Sequence, residues 1–185
     1  MCVSHINRER LHREYEPLVL RDGLRVPVRE IRKDDAQALQ RLVGRSSPRS
    51  VELRFFGPLK ELSESQARSF ADVDGRDKFA LVALDPEDTG EIVGVVRYGR
   101  EGDMNSAEYA ALVEDRFQGR GVGIGLTRRL VEAARERGVG RLHALVMGEN
   151  TGMLRLLRYL GLPEQERWRD GARCVEIELN HSGVR

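Results

Sequence analysis

The sequence predicts an α/β domain with a mixed sheet, and three observations lead there. Three segments of strand length and texture, 79–84, 92–98 and 107–113, are joined by the turn-forming segments 85–90 and 99–105. An antiparallel meander is the simplest arrangement for them. A glycine-rich stretch, 119–125, then opens an amphipathic helix that ends near Arg137. A further strand, a helix and a hairpin complete the chain, so strands and helices alternate.

The elements follow in order. Residues 1–22 carry little apolar periodicity and one proline, Pro17. They are expected to form an arm or a short, weakly packed helix ahead of a domain at 23–182. From Leu24 to Ile31 apolar and polar residues alternate, the period of a strand. Pro27 cannot donate to a ladder and suggests that this strand lies at an edge. Asp34 or Asp35 is a candidate N-cap for a helix carrying Ala36, Leu39, Leu42 and Val43. Ser46, Ser47 and Pro48 begin a second helical stretch with Leu53, Phe55 and Phe56, and Gly57-Pro58 ends it. Ser63 and Gln66 have capping-box spacing for a helix reaching about Asp72. In the long helix Val122, Leu126, Leu130, Ala133 and Ala134 share a face, with Gly138 and Gly140 flanking its end. Residues 142–147 read as a strand and 150–160 as a helix closed by Gly161. Residues 165–169 and 173–179 read as a hairpin around Asp170-Gly171.

The chain has 185 residues, with 31 Lys plus Arg against 30 Asp plus Glu, a net charge of +1. The length suits about one domain. The charge balance argues against nucleic-acid or membrane-surface binding driven by electrostatics. The longest apolar run, 79–84, is far short of the ~20 residues a membrane helix needs. The first residues lack the apolar core of a signal peptide. Two cysteines, Cys2 and Cys174, make no disulfide framework and predict a reducing cytoplasm.

Most conspicuous side chains have plain readings. His5, His12, His143 and His181 are isolated and lack metal-ligand spacing, so no metal site is expected. His143 reads as a core or supporting residue, Cys174 as a buried inert thiol, and Trp168 as packing. Phe55 and Phe56 read as core. Arg128, Arg129, Arg135 and Arg137 read as a solvated helix face from which Arg128 or Arg129 could reach a phosphate.

The informative segment runs from Val113 to Leu126. Glycines between a strand and a helix let backbone N–H groups approach a phosphate, and the helix N-terminus adds partial positive charge. Arg120 supplies a full charge. A P-loop needs Gly-Lys-Ser/Thr, which is absent. A dinucleotide fingerprint G-x-G-x-x-G fails, because its last position would be Ile124 or Leu126. The pattern Q-x-x-G-x-G fits, as Gln118, Gly121 and Gly123.

With its flanking strand, long helix, next strand and Asn-initiated helix, segment 107–162 resembles the GNAT superfamily of N-acetyltransferases. Arg54-Phe55-Phe56-Gly57-Pro58, Asp74-Gly75-Arg76-Asp77 and Ala107-Glu108-Tyr109-Ala110 further resemble the catalytic domain of bacterial Pat-type protein lysine acetyltransferases. The resemblance covers about residues 20–180. It implies a GNAT-like fold whose two central parallel strands splay apart to admit pantetheine. It also implies acetyl-CoA as cosubstrate, with backbone pairing at Leu112 and Val113. Gln118, Gly119, Arg120, Gly121, Val122 and Gly123 would hold the pyrophosphate, and Asn150 and Met153 would line the pantetheine and adenine side.

Acetyl transfer needs an amine that has lost its proton and a donor for the oxyanion. Glu108 is the base candidate, on the strand leading to the loop among Ala107, Tyr109 and Ala110. The resemblance gives it that role. Glu114 is a lesser candidate, expected to cap or solvate. The oxyanion donor is expected at the Val113 or Leu112 amide. Many GNAT enzymes place a Tyr acid seven residues after the Asn; here that position is Leu157, and Tyr159 is expected to face elsewhere. At Gly125 many members carry a small hydroxyl residue able to touch phosphate.

The expected activity is acetyl transfer to protein lysines, such as those of acyl-CoA synthetases, by direct attack in a ternary complex. Transfer to a small amine or amino acid is the alternative, as is a non-catalytic acyl-CoA-binding module. Neither nucleic acid nor membrane is an expected partner, and the sequence leaves the oligomeric state open.

Overall fold

The computed structural model describes residues 14–100, 102, 105–169 and 171–180. Cys2, His5, His12, His181 and the Asp170 of the hairpin turn lie outside the described residues.

The strands are β1 (Glu14–Val19), β2 (Arg25–Glu30), β3 (Lys78–Leu84), β4 (Ile92–Arg100), β5 (Ser106–Val113), β6 (Arg141–Met147), β7 (Glu164–Arg169) and β8 (Ala172–Glu178). The helices are α1 (Ala36–Arg45), α2 (Pro48–Phe55), α3 (Glu64–Ala71), α4 (Val122–Glu136) and α5 (Thr151–Arg158). The strands form one sheet in the order β1-β2-β3-β4-β5-β6-β8-β7. β5 and β6 pair in parallel, and the other pairings are antiparallel. The expected mixed α/β sheet with an antiparallel meander is present.

Two expectations at the N-terminal end are corrected. Residues 14–19 are a strand rather than an arm, and the buried Leu18 carries it into the core. The β1–β2 register shifts between Tyr15 and Leu18, around Pro17, which breaks the period-2 pattern in the sequence. β2 is therefore not an edge; β1 is. Pro27 lies opposite the bulge in β1, and the pairing of β2 with β3 begins only at the next residue, Val28.

Period-2 alternation gives the sheet two apolar faces. Phe79, Leu81 and Ala83 join Leu126, Leu130, Leu154 and Leu157 on the α4–α5 side. Ala80, Val82 and Leu112 join Leu39, Leu42 and Val51 on the α1–α3 side. Leu126 and Leu130 are fully buried, and burial of each stabilises the fold by about 1.5–3 kcal/mol.

Local signals set the helix ends. Ser63 and Gln66 form the expected capping box on α3. Ser47 caps α2, accepting from the Ser50 amide. Asp35 stands at the N-cap of α1 but does not cap it. Its carboxylate instead takes two Arg29 bonds at 2.7 Å and the Arg32 amide at 2.7 Å.

Trp168 is 68% exposed under the Arg173 guanidinium, not packed in the core. Arg137 is not a solvated side chain: it lies 4.2 Å over the Phe79 ring and donates to the Gly75 carbonyl. Cys174 is half-buried, and burial raises its thiol pKa.

Candidate active site

β5 and β6 are in register only at Ser106–Arg141, Ala107–Leu142 and Glu108–His143. Past that point they diverge, and β5 continues alone to Val113 beside β4. The divergence opens a groove of about 340 Å³. It runs from Arg54, Phe56 and Glu108 to Gln118, Gly121 and Gly123.

The β5 backbone has a fixed polarity across this gap. The Glu114 amide donates to Val93 of β4, and the Asn105 carbonyl accepts from Arg141 at the start of β6. Strand geometry alternates these directions. The amides of Leu112 and Ala110 therefore turn to β4, whereas those of Ala111 and Val113 turn into the gap. Leu112 lines the groove but cannot offer its amide there, which removes it as an oxyanion donor.

The loop is held from behind. Gln118 donates its side-chain amide to the Val113 carbonyl and to the Ser50 hydroxyl, both at 2.9 Å. Asp115 accepts from the Ser47 amide, the Ser47 hydroxyl and the Ser50 hydroxyl at 2.8, 2.7 and 2.8 Å. Burial pushes the Asp115 carboxyl up, but these serine bonds outweigh it and hold the carboxyl below its ordinary value. Glu114 is buried and bound to Arg45 and Arg116, so it is a structural tie and not a base.

The glycine segment is shorter as a loop than its sequence suggests, because Gly123 and Gly125 already belong to α4. Gly121 is the N-cap at φ 108°, a conformation that glycine adopts without strain. No side chain caps α4 and no acidic residue lies in its first turn. Its leading amides, from Val122 onward, lack intrahelical acceptors and the helix end carries partial positive charge. An uncapped, positive terminus opening on a groove fits a diphosphate. Val122 contributes only backbone, since its side chain is fully buried.

Arg120 does not point into this groove. It pairs with Asp22 and lies 5.2 Å over the Phe117 ring. Arg21 and Arg155 line the groove instead. Arg21 sits in the segment read as an arm, and Arg155 lies one turn into α5, so neither carried a motif. Arg128 donates to the Tyr159 carbonyl at 3.4 Å and, like Arg129, is not among the lining residues.

Asn150 caps α5, accepting from the Met153 amide at 3.0 Å, and both residues line the groove. Leu157 is buried in the core, and Tyr159, expected to face elsewhere, lines the groove at 64% exposure. Gly125 faces β1, not phosphate: a Cβ there would lie 2.6 Å from Leu18 Cδ2.

Glu108 is exposed on the α1–α3 side of the sheet. His143 stands beside it in register and shares a 3.2 Å hydrogen bond with Ser106. Arg54 and Arg97 both act electrostatically on Glu108. Phe56 is not core; it is 47% exposed on the groove wall and is left-handed at φ 61°. Behind the wall the exposed Phe56 is joined by Phe55, which is part-buried against Phe70.

Residues 25–163 match the acetyltransferase (GNAT) domain family. The chain belongs to the GNAT acetyltransferase family. An acetyltransferase of Pseudomonas aeruginosa is 31% identical over 158 residues, 84% of each chain. The acetyltransferase Pat of Mycolicibacterium smegmatis is 32% identical over 129 residues, 62% of this chain and 38% of that one. The chain thus spans well under half of Pat's length. The crystal structure of the GNAT domain of S. lividans PAT matches with TM-score 0.82 and 34% identity, covering 89% of this chain and 96% of that one. A Salmonella typhimurium protein solved with its cofactor acetyl-CoA shares the fold at TM-score 0.65 and 18% identity, covering 86% of this chain and 96% of that one. This GNAT protein is an acyl-CoA-dependent acyltransferase. Among the described residues no helix is long and apolar enough to cross a membrane.

Proposed function

We propose that this enzyme transfers the acetyl group of acetyl-CoA to lysine ε-amines of proteins, such as acyl-CoA synthetases, in the cytoplasm. The single observation carrying the reading is the groove that joins the uncapped α4 terminus to Glu108 through the β5–β6 divergence. The likeness to Pat proteins supports a protein acceptor.

Acetyl-CoA supplies an activated acyl carbon. The amides at the start of α4 and the Arg21 and Arg155 side chains hold its phosphates. Val113 pairs with the pantetheine arm, and Asn150 and Met153 form the far wall. Glu108 receives the proton of the attacking amine, directly or through water. As the C–N bond forms and the C–S bond breaks, the thiolate takes its proton from water.

The oxyanion donor is better assigned to Ala111 than to Val113. Along a strand Val113 lies roughly 17 Å from Glu108, and Ala111 roughly 10 Å. The reacting carbon must reach both the donor and the amine, which favours the nearer amide.

The test incubates the chain with acetyl-CoA and an acyl-CoA synthetase. Acetyl-lysine by mass spectrometry, matched by free thiol, is the expected result. Tight acetyl-CoA binding without turnover on any acceptor would leave a binding module in its place.

A further inference from the structure

We propose that the acceptor presents a carboxylate close to its amine, and that Arg54 and Arg97 bind it beside Glu108. This deepens the acetyl-transfer reading above and rests on it.

The two arginines reach this place from separate elements. Arg54 comes from the last turn of α2 and lines the groove with Glu108 and Ala110. Arg97 comes from β4, paired with Ala110 of β5. Both guanidinium groups lie over aromatic rings, Arg54 4.8 Å from the Phe55 centroid and Arg97 4.8 Å from that of Phe70. The two rings stack at 6.3 Å, so the cations share one aromatic ledge. Arg97 also donates to the Phe70 carbonyl at 3.3 Å, which fixes its orientation.

The charges on this ledge do not balance. Among the described residues Glu108 is the one carboxylate acting on both guanidinium groups, and it forms an ion pair with neither within 4 Å. Burial, and then the charge of Arg97, push the Arg54 pKa down to about 10. A partly desolvated cation without a paired anion is costly. The imbalance grows during turnover, since Glu108 becomes neutral when it takes the amine proton. An acceptor carboxylate restores the balance, and the planar fork of a guanidinium matches it in a bidentate fashion. The same two cations disfavour an ammonium nearby and so favour the free amine that attacks.

Such a carboxylate can come from an amino acid's own α-carboxyl or from Asp or Glu beside a lysine in a peptide. The experiment separates these sources. Thiol release is measured with free amino acids against their α-amides, and with lysine peptides flanked by Glu against Gln. The carboxylate form should win in at least one pair, by roughly ten- to a hundredfold in kcat/KM, the span of a charge-assisted hydrogen bond. The pair that shows it identifies the source. In Arg54→Gln and Arg97→Gln that ratio should fall toward one, through KM rather than kcat. Arg54→Lys should restore part of it. Turnover with no carboxylate preference in either pair, or a ratio unchanged in both variants, would overturn the inference while leaving acetyl transfer standing. No turnover on any acceptor, with acetyl-CoA still bound, would instead overturn the activity on which it rests.

Discussion

The Gln118 side-chain amide donates to the Val113 carbonyl at 2.9 Å, which ties the end of the splayed strand to the turn before α4. A second bond from the same nitrogen reaches Ser50 of α2. One side chain thereby sets the angle between the strand that lines the groove and the helix terminus that closes it. Gln118→Ala removes both bonds, each a net ~1 kcal/mol. Affinity for CoA by calorimetry should fall about five- to thirtyfold, and the melting temperature should fall by roughly 4–8 °C.

Gly121 and Gly125 should respond in different ways. A Cβ at Gly121 meets nothing within 4 Å, so the cost of Gly121→Ala is in the backbone at φ 108°. That cost is about 1–2 kcal/mol, and the amide directions change with it. CoA affinity should drop at least tenfold. Gly125→Ser places an atom 2.6 Å from Leu18 Cδ2. It should destabilise the fold by about 1–3 kcal/mol, as overpacking does, and bring no gain in CoA affinity. Denaturant titration and calorimetry on both variants separate the two effects.

Phe56 holds the wall of the groove in a left-handed conformation at φ 61°. Phe56→Gly relieves backbone strain and removes a half-exposed ring. Stability should change by less than about 1 kcal/mol, because the two effects oppose each other. The acceptor KM should rise several-fold while acetyl-CoA affinity holds.

The serine-bound Asp115 predicts an acid-sensitive loop. Its carboxyl is lowered in the folded state from an ordinary value of 3.8. A depressed carboxyl stabilises the fold above its unfolded pKa, and that contribution is lost as pH falls through the folded value. Stability against urea should therefore decline below about pH 4. Asp115→Asn should decline less over the same range and start lower at pH 7.

Much of this was legible because the signals are local. The Ser63–Gln66 capping box, the Asn150 cap and the Gln118–Gly121–Gly123 spacing each depend on residues within one turn of one another. β1 was not legible: Pro17 and the bulge break its alternation, and Leu18 is recognised as core only once α4 lies against it at Gly125. Arg120 looked like the phosphate cation because it sits inside the motif, yet Asp22, far away in sequence, neutralises it. Arg21 and Arg54 reach the groove through tertiary packing alone, and Arg97 reaches the Phe70 ring beside it in the same way. Tyr159 was misplaced for a related reason. The helical step between it and Leu157 was right, but Leu157 faces the core, so the residue turned away from it meets the groove.

The most direct test is the pH–rate profile of Glu108→Gln on acetyl-CoA and an amine acceptor. With Glu108 as the base, kcat/KM should fall roughly 10²–10⁴-fold, with the limb assigned to the base gone and calorimetric acetyl-CoA affinity unchanged. A rate equal to that of the wild-type chain at every pH would contradict it.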